Sequence, residues 1–153
     1  MIELTDERAT HELARRLVAA LPAGSMVLLR GPLGAGKTTL TRYVALELGF
    51  EGRVTSPTYT LMHTYPTPAG PVLHVDVYRL PDPRQIYDLG LDEAAATARL
   101  TLIEWGEPKD FPGALEVELQ PLSENVRRVT LRARDPRLQE VARQVMEEMR
   151  TRG

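Results

Sequence analysis

Ala9, Leu13, Leu17 and Leu21 recur four residues apart between Asp6 and Leu21, which is the apolar stripe of an amphipathic helix that Thr5 or Asp6 can cap. Pro22-Ala23-Gly24-Ser25 breaks the period, and the continuous apolar run Met26-Val27-Leu28-Leu29 follows. A short run of this kind between turn residues suits a strand buried on both faces of a parallel sheet. A glycine-rich turn then leads into a helix from about Lys37 to Leu48 that stops at Gly49. Two extended stretches, Thr58 to Tyr65 and Val72 to Val77, flank Pro66-Thr67-Pro68-Ala69-Gly70-Pro71, which reads as a hairpin loop. Arg84 to Leu89 and Asp92 to Ala98 read as short helices, and Leu100 to Ile103 as another buried strand. Leu115 to Leu119 and Val126 to Ala133 predict an antiparallel pair. A last helix, Arg137 to Arg150, carries Leu138, Val141, Ala142, Val145 and Met149 on one face. Strands alternating with helices predict an α/β layered domain.

Composition narrows the chemistry. The 153 residues show no composition break and suit one domain spanning 1–153. Cysteine is absent, which excludes a disulfide scaffold, a thiolate metal site and a thiol nucleophile. The apolar runs fall far short of the roughly 20 residues that cross a bilayer. Glu3, Asp6 and Glu7 stand where a signal peptide needs a basic start, so the expected compartment is the cytoplasm, without a membrane partner. The formal charge is −2, which leaves no overall electrostatic footprint for nucleic acid. Any RNA contact is expected to be local or to come through a partner.

Gly31-Pro32-Leu33-Gly34-Ala35-Gly36-Lys37-Thr38 matches the phosphate-loop signature G-x-x-x-x-G-K-[ST], between a predicted strand and a predicted helix. Glycines let backbone N–H groups converge on phosphate, and the helix start adds unpaired amides and its positive dipole end. In such a loop Lys37 bridges the β- and γ-phosphates and the Thr38 hydroxyl is placed to bind Mg²⁺. Thr39 is a candidate for the α-phosphate end, or an ordinary first-turn residue. The predicted architecture is therefore P-loop NTPase-like. It has a mostly parallel central sheet flanked by helices, a C-terminal antiparallel strand pair and a terminal helix.

A magnesium site of this kind needs a carboxylate from a neighbouring strand. Asp76 ends the run Val72-Leu73-His74-Val75 and Glu104 ends Leu100-Thr101-Leu102-Ile103, so both point beyond strand carboxyl ends, where ligands of open α/β sheets lie. Spacing alone does not say which binds metal and which orients water. His74 and Tyr78 alternate with Asp76 and either support it or belong to a packed strand face. Arg79 suits a phosphate contact or a surface pair, and Trp105, the only tryptophan, suits core or site. The guanine-reading [NT]-K-x-D motif is missing, since the one lysine outside the loop lies in Pro108-Lys109-Asp110-Phe111. ATP is the expected nucleotide. A small-molecule or nucleotide kinase is the competing reading. Such kinases carry an arginine-rich lid, however, whereas Arg127, Arg128, Arg132 and Arg134 lie on an apparent strand and read as a solvated face.

Four segments in order resemble the bacterial TsaE (formerly YjeE) family. They are Leu33-Gly34-Ala35-Gly36-Lys37-Thr38-Thr39-Leu40, Val54-Thr55-Ser56-Pro57-Thr58-Tyr59, His74-Val75-Asp76-Val77-Tyr78-Arg79-Leu80 and Leu102-Ile103-Glu104-Trp105. The resemblance implies a weak ATPase in biosynthesis of the tRNA modification N6-threonylcarbamoyladenosine. It further implies that the protein binds the TsaB–TsaD pair, meets tRNA only through those partners, and sustains repeated rounds of modification. It also implies that Lys37 binds phosphate, Thr38 and Glu104 coordinate Mg²⁺, and Asp76 serves hydrolysis. Ser56 to Tyr59 would form a switch-like loop, and Trp105 would belong to the nucleotide region. Pro32 replaces an acidic residue common in the family, and Gly106 a proline or small residue.

Overall fold

The computed structural model describes residues 1–54 and 61–151. Seven strands form one sheet: β1 (Ile2–Leu4), β2 (Ser25–Arg30), β3 (Met62–Tyr65), β4 (Val72–Asp76), β5 (Leu100–Glu104), β6 (Leu115–Pro121) and β7 (Arg127–Ala133). Their spatial order is β1-β7-β6-β2-β5-β4-β3. The centre, β6-β2-β5-β4, is parallel. Antiparallel pairs close both sides, β3 on β4 and β7 on β6, with β1 on β7 at the edge. The helices are α1 (Glu7–Ala20), α2 (Lys37–Glu47), α3 (Gln85–Asp88), α4 (Leu91–Thr97) and α5 (Pro136–Thr151).

The apolar run of β2 is continuous because it serves two cores. Val27 and Leu29 face one cluster with Leu13 and Leu17 of α1, Leu40 and Val44 of α2, and Leu138 and Val145 of α5. Leu28, of opposite parity, joins Ile103, Val75, Ile86, Leu91 and Phe111 in the second cluster, roofed by α3 and α4. Each fully buried Leu or Ile contributes roughly 1.5–3 kcal/mol relative to exposure. The two-sided sheet is therefore the main source of stability, and it holds the carboxyl ends of β2, β5 and β4 rigidly side by side. In register, Leu29 of β2 lies opposite Glu104 of β5, and Glu104 opposite Asp76 of β4.

The predicted elements form, with one addition: β1, whose three residues are too few to show a period, pairs through Ile2, Glu3 and Leu4 with Val129, Arg128 and Arg127. The predicted strand from Thr58 to Tyr65 is described from its later part, as β3, and the hairpin loop of residues 66–71 follows it. Among the described residues no helix is long and apolar enough to cross a membrane.

Candidate functional site

The phosphate-loop signature lies between β2 and α2, and its glycines answer specific geometric demands. A Cβ at Gly31 would sit 2.4 Å from the Leu119 carbonyl oxygen of β6, so the loop can leave the sheet there only with glycine. Gly36, at φ 105°, is the N-cap of α2 in the left-handed region and offers no side-chain acceptor to the helix. The first amides of α2 are thus left for a ligand, as anion sites at helix starts require.

Lys37 opens α2 and is only 5% exposed. Its Nζ has no hydrogen-bond partner, lies 3.5 Å above the Trp105 ring and stands 4.0 Å from Glu104 Oε1. Burial lowers its pKa, against the pull of Glu104 and Asp76. Glu104, buried at the end of β5, is held on its other oxygen, with His74 Nε2 2.6 Å from Oε2. A carboxylate accepts, so Nε2 is the donor toward Glu104, and Nδ1 lies 3.1 Å from the Tyr65 hydroxyl. His74, wholly buried on β4, therefore supports Glu104 and not Asp76, although it alternates with Asp76 along the strand. The neighbouring parallel strand brings the Glu104 carboxylate within reach of the ring, which strand parity cannot show.

Asp76 is half-buried and its Oδ1 accepts from the Tyr78 backbone N–H at 2.8 Å. Burial raises its pKa, more than that hydrogen bond lowers it. Trp105 is not a core residue. It is 37% exposed, packs on Tyr78 at 5.1 Å between ring centres, and is the one non-glycine with positive φ among the described residues, at 68°. That backbone turn at the end of β5 places the indole beside Lys37. Tyr78 and Arg79 lie exposed in the turn after β4, Leu33 projects from the loop apex, and Thr38 and Thr39 are half-buried on the first turn of α2. Ser56 to Tyr59 lie outside the described residues.

Two clefts border the loop. One of about 330 Å³ runs between Arg30, Lys37, Trp105 and Glu118. The other, about 420 Å³, opens between Thr5, Asp6 and Thr10 at the start of α1, Thr39 of α2, and Glu124, Asn125 and Arg127 at the turn from β6 to β7. Its wall includes Arg127, which the strand pattern alone places on a solvated face. Arg127 Nε donates to the Ala35 carbonyl at 3.0 Å and Nη2 to that of Gly34 at 3.3 Å. Its Nη1 reaches the carbonyls of Ser123, Glu124 and Val126. The signal that separates it from its neighbours is parity, since Arg127 shares a strand face with buried Val129 and Leu131. Arg132, of opposite parity, is exposed and pairs with Glu116 and Glu118 as a solvated face would.

A phosphate loop between a parallel strand and a helix, with carboxylates at the ends of neighbouring strands, defines a nucleotide-binding protein of the P-loop class. Residues 4–130 match the model of one family, described as threonylcarbamoyl adenosine biosynthesis protein TsaE. The chain is 40% identical to the tRNA threonylcarbamoyladenosine biosynthesis protein TsaE of Rickettsia felis, over 83% of this chain and 76% of that protein. It is 35% identical to the Aquifex aeolicus protein of the same name, over 84% and 92%. The crystal structure of Bacillus subtilis YdiB superposes with a TM-score of 0.77 at 26% identity, covering 96% of this chain and 93% of that one. The chain belongs to the TsaE family, whose members serve in the biosynthesis of threonylcarbamoyladenosine in tRNA.

Proposed function

We propose that the chain is a single-domain, Mg²⁺-dependent ATP-binding and slowly ATP-hydrolysing component of tRNA N6-threonylcarbamoyladenosine synthesis. It acts in the cytoplasm with the TsaB–TsaD pair, sustains repeated rounds of modification, and meets tRNA only through those partners. The observation that carries this reading is Lys37, a buried ammonium without a hydrogen-bond partner inside a phosphate-loop signature. With one carboxylate oxygen 4.0 Å away and the Trp105 ring 3.5 Å away, this desolvated ammonium keeps its hydrogen-bond donors unused until an oxyanion reaches them, which suits nucleotide phosphate.

The residues present fit the ligands. The backbone from Leu33 to Lys37, the Lys37 ammonium and the hydroxyls of Thr38 and Thr39 would hold the phosphates, with Trp105 alongside. Thr38 and Glu104 would hold Mg²⁺, a hard cation that takes one or two protein oxygens when it arrives with nucleotide. Among the described residues no three His, Asp or Glu side chains gather as a metal cage, and such a site needs none. When bound, the ion neutralises phosphate charge. Asp76 accepts a hydrogen bond from the attacking water and takes its proton, a task that suits a carboxyl whose pKa burial has raised. Turnover by the chain alone is slow because partner docking completes this geometry.

Reconstituting threonylcarbamoyl transfer with TsaB–TsaD and tRNA tests the proposal. The chain should convert a stalled single round into repeated rounds. Glu104→Gln should bind ATP yet leave the system stalled and its ATP unhydrolysed. Repeated rounds without this chain, or a phosphorylated small acceptor made by it alone, would overturn the reading, the second in favour of a kinase.

A further inference from the structure

We infer that Arg127 is a positioning residue of the phosphate loop, shaping it before nucleotide arrives and tying it to the wall of the larger cleft. The inference rests on the reading of residues 31–38 as that loop. Gly31, Gly34 and Gly36 all have positive φ, so the segment is built from residues with the most conformational freedom to lose. Something outside the loop must select one shape.

The guanidinium supplies the selection through the loop's outward carbonyls. In a planar trans peptide the C=O and the next N–H point in opposite directions. Arg127 Nε holds the Ala35 carbonyl at 3.0 Å, so the Gly36 N–H is turned away from Arg127, to the opposite side of the loop. The Gly34 carbonyl, at 3.3 Å from Nη2, is fixed in the same way, and the paired Ala35 N–H closes the turn on the Pro32 carbonyl at 3.0 Å. Arg127 thus acts on the Gly36 amide, which is left for phosphate, by gripping the far end of its peptide unit, and on the turn beneath it through the Gly34–Ala35 unit.

The same side chain binds the other wall. Nη1 reaches the Ser123, Glu124 and Val126 carbonyls at 2.9, 3.1 and 3.3 Å, so one planar group joins two loops about 90 residues apart in sequence. Lysine cannot replace it, because an ammonium is a point with three donors and the guanidinium is a fork with five. Among the described residues no acidic side chain is hydrogen-bonded to Arg127, whereas Arg132 on the same strand is bound to Glu116 and Glu118. The carbonyls of the two loops are its partners.

The test uses the full chain and two probes, ADP and inorganic pyrophosphate, in calorimetric titrations. Arg127→Met should weaken both by about tenfold, the scale of losing hydrogen bonds from a charged group. Arg127→Lys should recover less than half of that loss in log affinity. Arg132→Met, which removes an arginine from the outer face, should bind both probes normally. In nucleotide-free chain, amide exchange across residues 31–37 should quicken in both Arg127 variants while protection in β5 is kept, a pattern that general destabilisation would not give. Pyrophosphate affinity within twofold of the unaltered chain in Arg127→Met would overturn the inference. So would full recovery with lysine, which would make the role one of charge, or loss confined to ADP, which would make it a nucleoside contact. Lys37→Ala tests the loop reading separately: if pyrophosphate still binds that variant, the loop assignment fails first.

Discussion

The two sides of the phosphate loop are built differently. On the Lys37 side the charged groups sit inside the sheet, beside a cleft and the partly exposed Trp105: Lys37, Glu104 and His74 are buried, and Tyr65, His74 and Glu104 form one hydrogen-bonded line across β3, β4 and β5. On the Thr39 side the wall comes from chain segments distant in sequence, Thr5 to Thr10 and Glu124 to Arg127, around an open cleft. The closed side is made by parallel strands ending in register, which places charges to within a hydrogen bond. The open side is made where a helix start and a strand turn happen to meet, held by an N-cap and by Arg127. Charge chemistry is therefore concentrated where the sheet is stiffest, and space for the rest of a ligand where it ends.

The largest expected effect lies on the closed side. Lys37→Ala removes the ammonium that faces Glu104 and should weaken ATP binding by about tenfold to a hundredfold, measured by calorimetry. Unchanged affinity would erase the distinction between the sides. His74→Leu takes away the ring nitrogen that faces the buried Glu104 Oε2 at 2.6 Å, which should cost about 1–3 kcal/mol. In thermal unfolding that is a fall in Tm of roughly 2–4 °C for each kcal/mol, and His74→Gln, which restores a donor, should recover part of it.

A substitution on the open side should cost less. Asp6→Ala removes the N-cap bond from the Ala9 N–H to Asp6 Oδ1, at 2.9 Å, and should destabilise by about 1 kcal/mol, read from the denaturant midpoint. A cost as large as that of His74→Leu would show the open side to be as tightly built as the closed one. The smallest effect concerns Asp76. Burial raises its folded pKa above the unfolded value, so the ionised carboxylate opposes folding at neutral pH and the penalty disappears as pH falls and the group protonates in both states. Asp76→Asn should therefore raise Tm at pH 7 and leave it unchanged in acid, while hydrolysis is lost. A gain that grows as pH falls would reverse the assigned direction.

Much of this was legible in the chain. Four-residue spacing in α1, the unbroken apolar run of β2 and the loop signature are local patterns, and local backbone preference with burial suffices to realise them. Glu104 and Asp76 were legible as strand-terminal acids because parallel strands end on one side of a sheet. Three features were not. His74 alternates with Asp76 but bonds to Glu104, because the strand next to it decides its partner. Trp105 leaves the core through a backbone turn that no composition signals. β1 exists because β7 presents an edge to it, and a three-residue segment has no period of its own.

Arg127 marks the boundary most clearly. Periodicity and the loop signature were enough to establish an α/β phosphate-binding architecture and to name Lys37, Thr38, Asp76 and Glu104 as candidates, because each depends on neighbours in sequence or on the end of its own strand. The grip of Arg127 on Gly34 and Ala35 depends on β6 lying beside β2, which brings the turn after β6 to the loop after β2. Contacts of that kind join residues about 90 positions apart and arise only once the sheet order is set by packing both faces of β2. The four arginines of β7 and its end read as one solvated face in the chain; the burial of Val129 and Leu131 turns Arg127 the other way, and the assembled sheet supplied the carbonyls it meets.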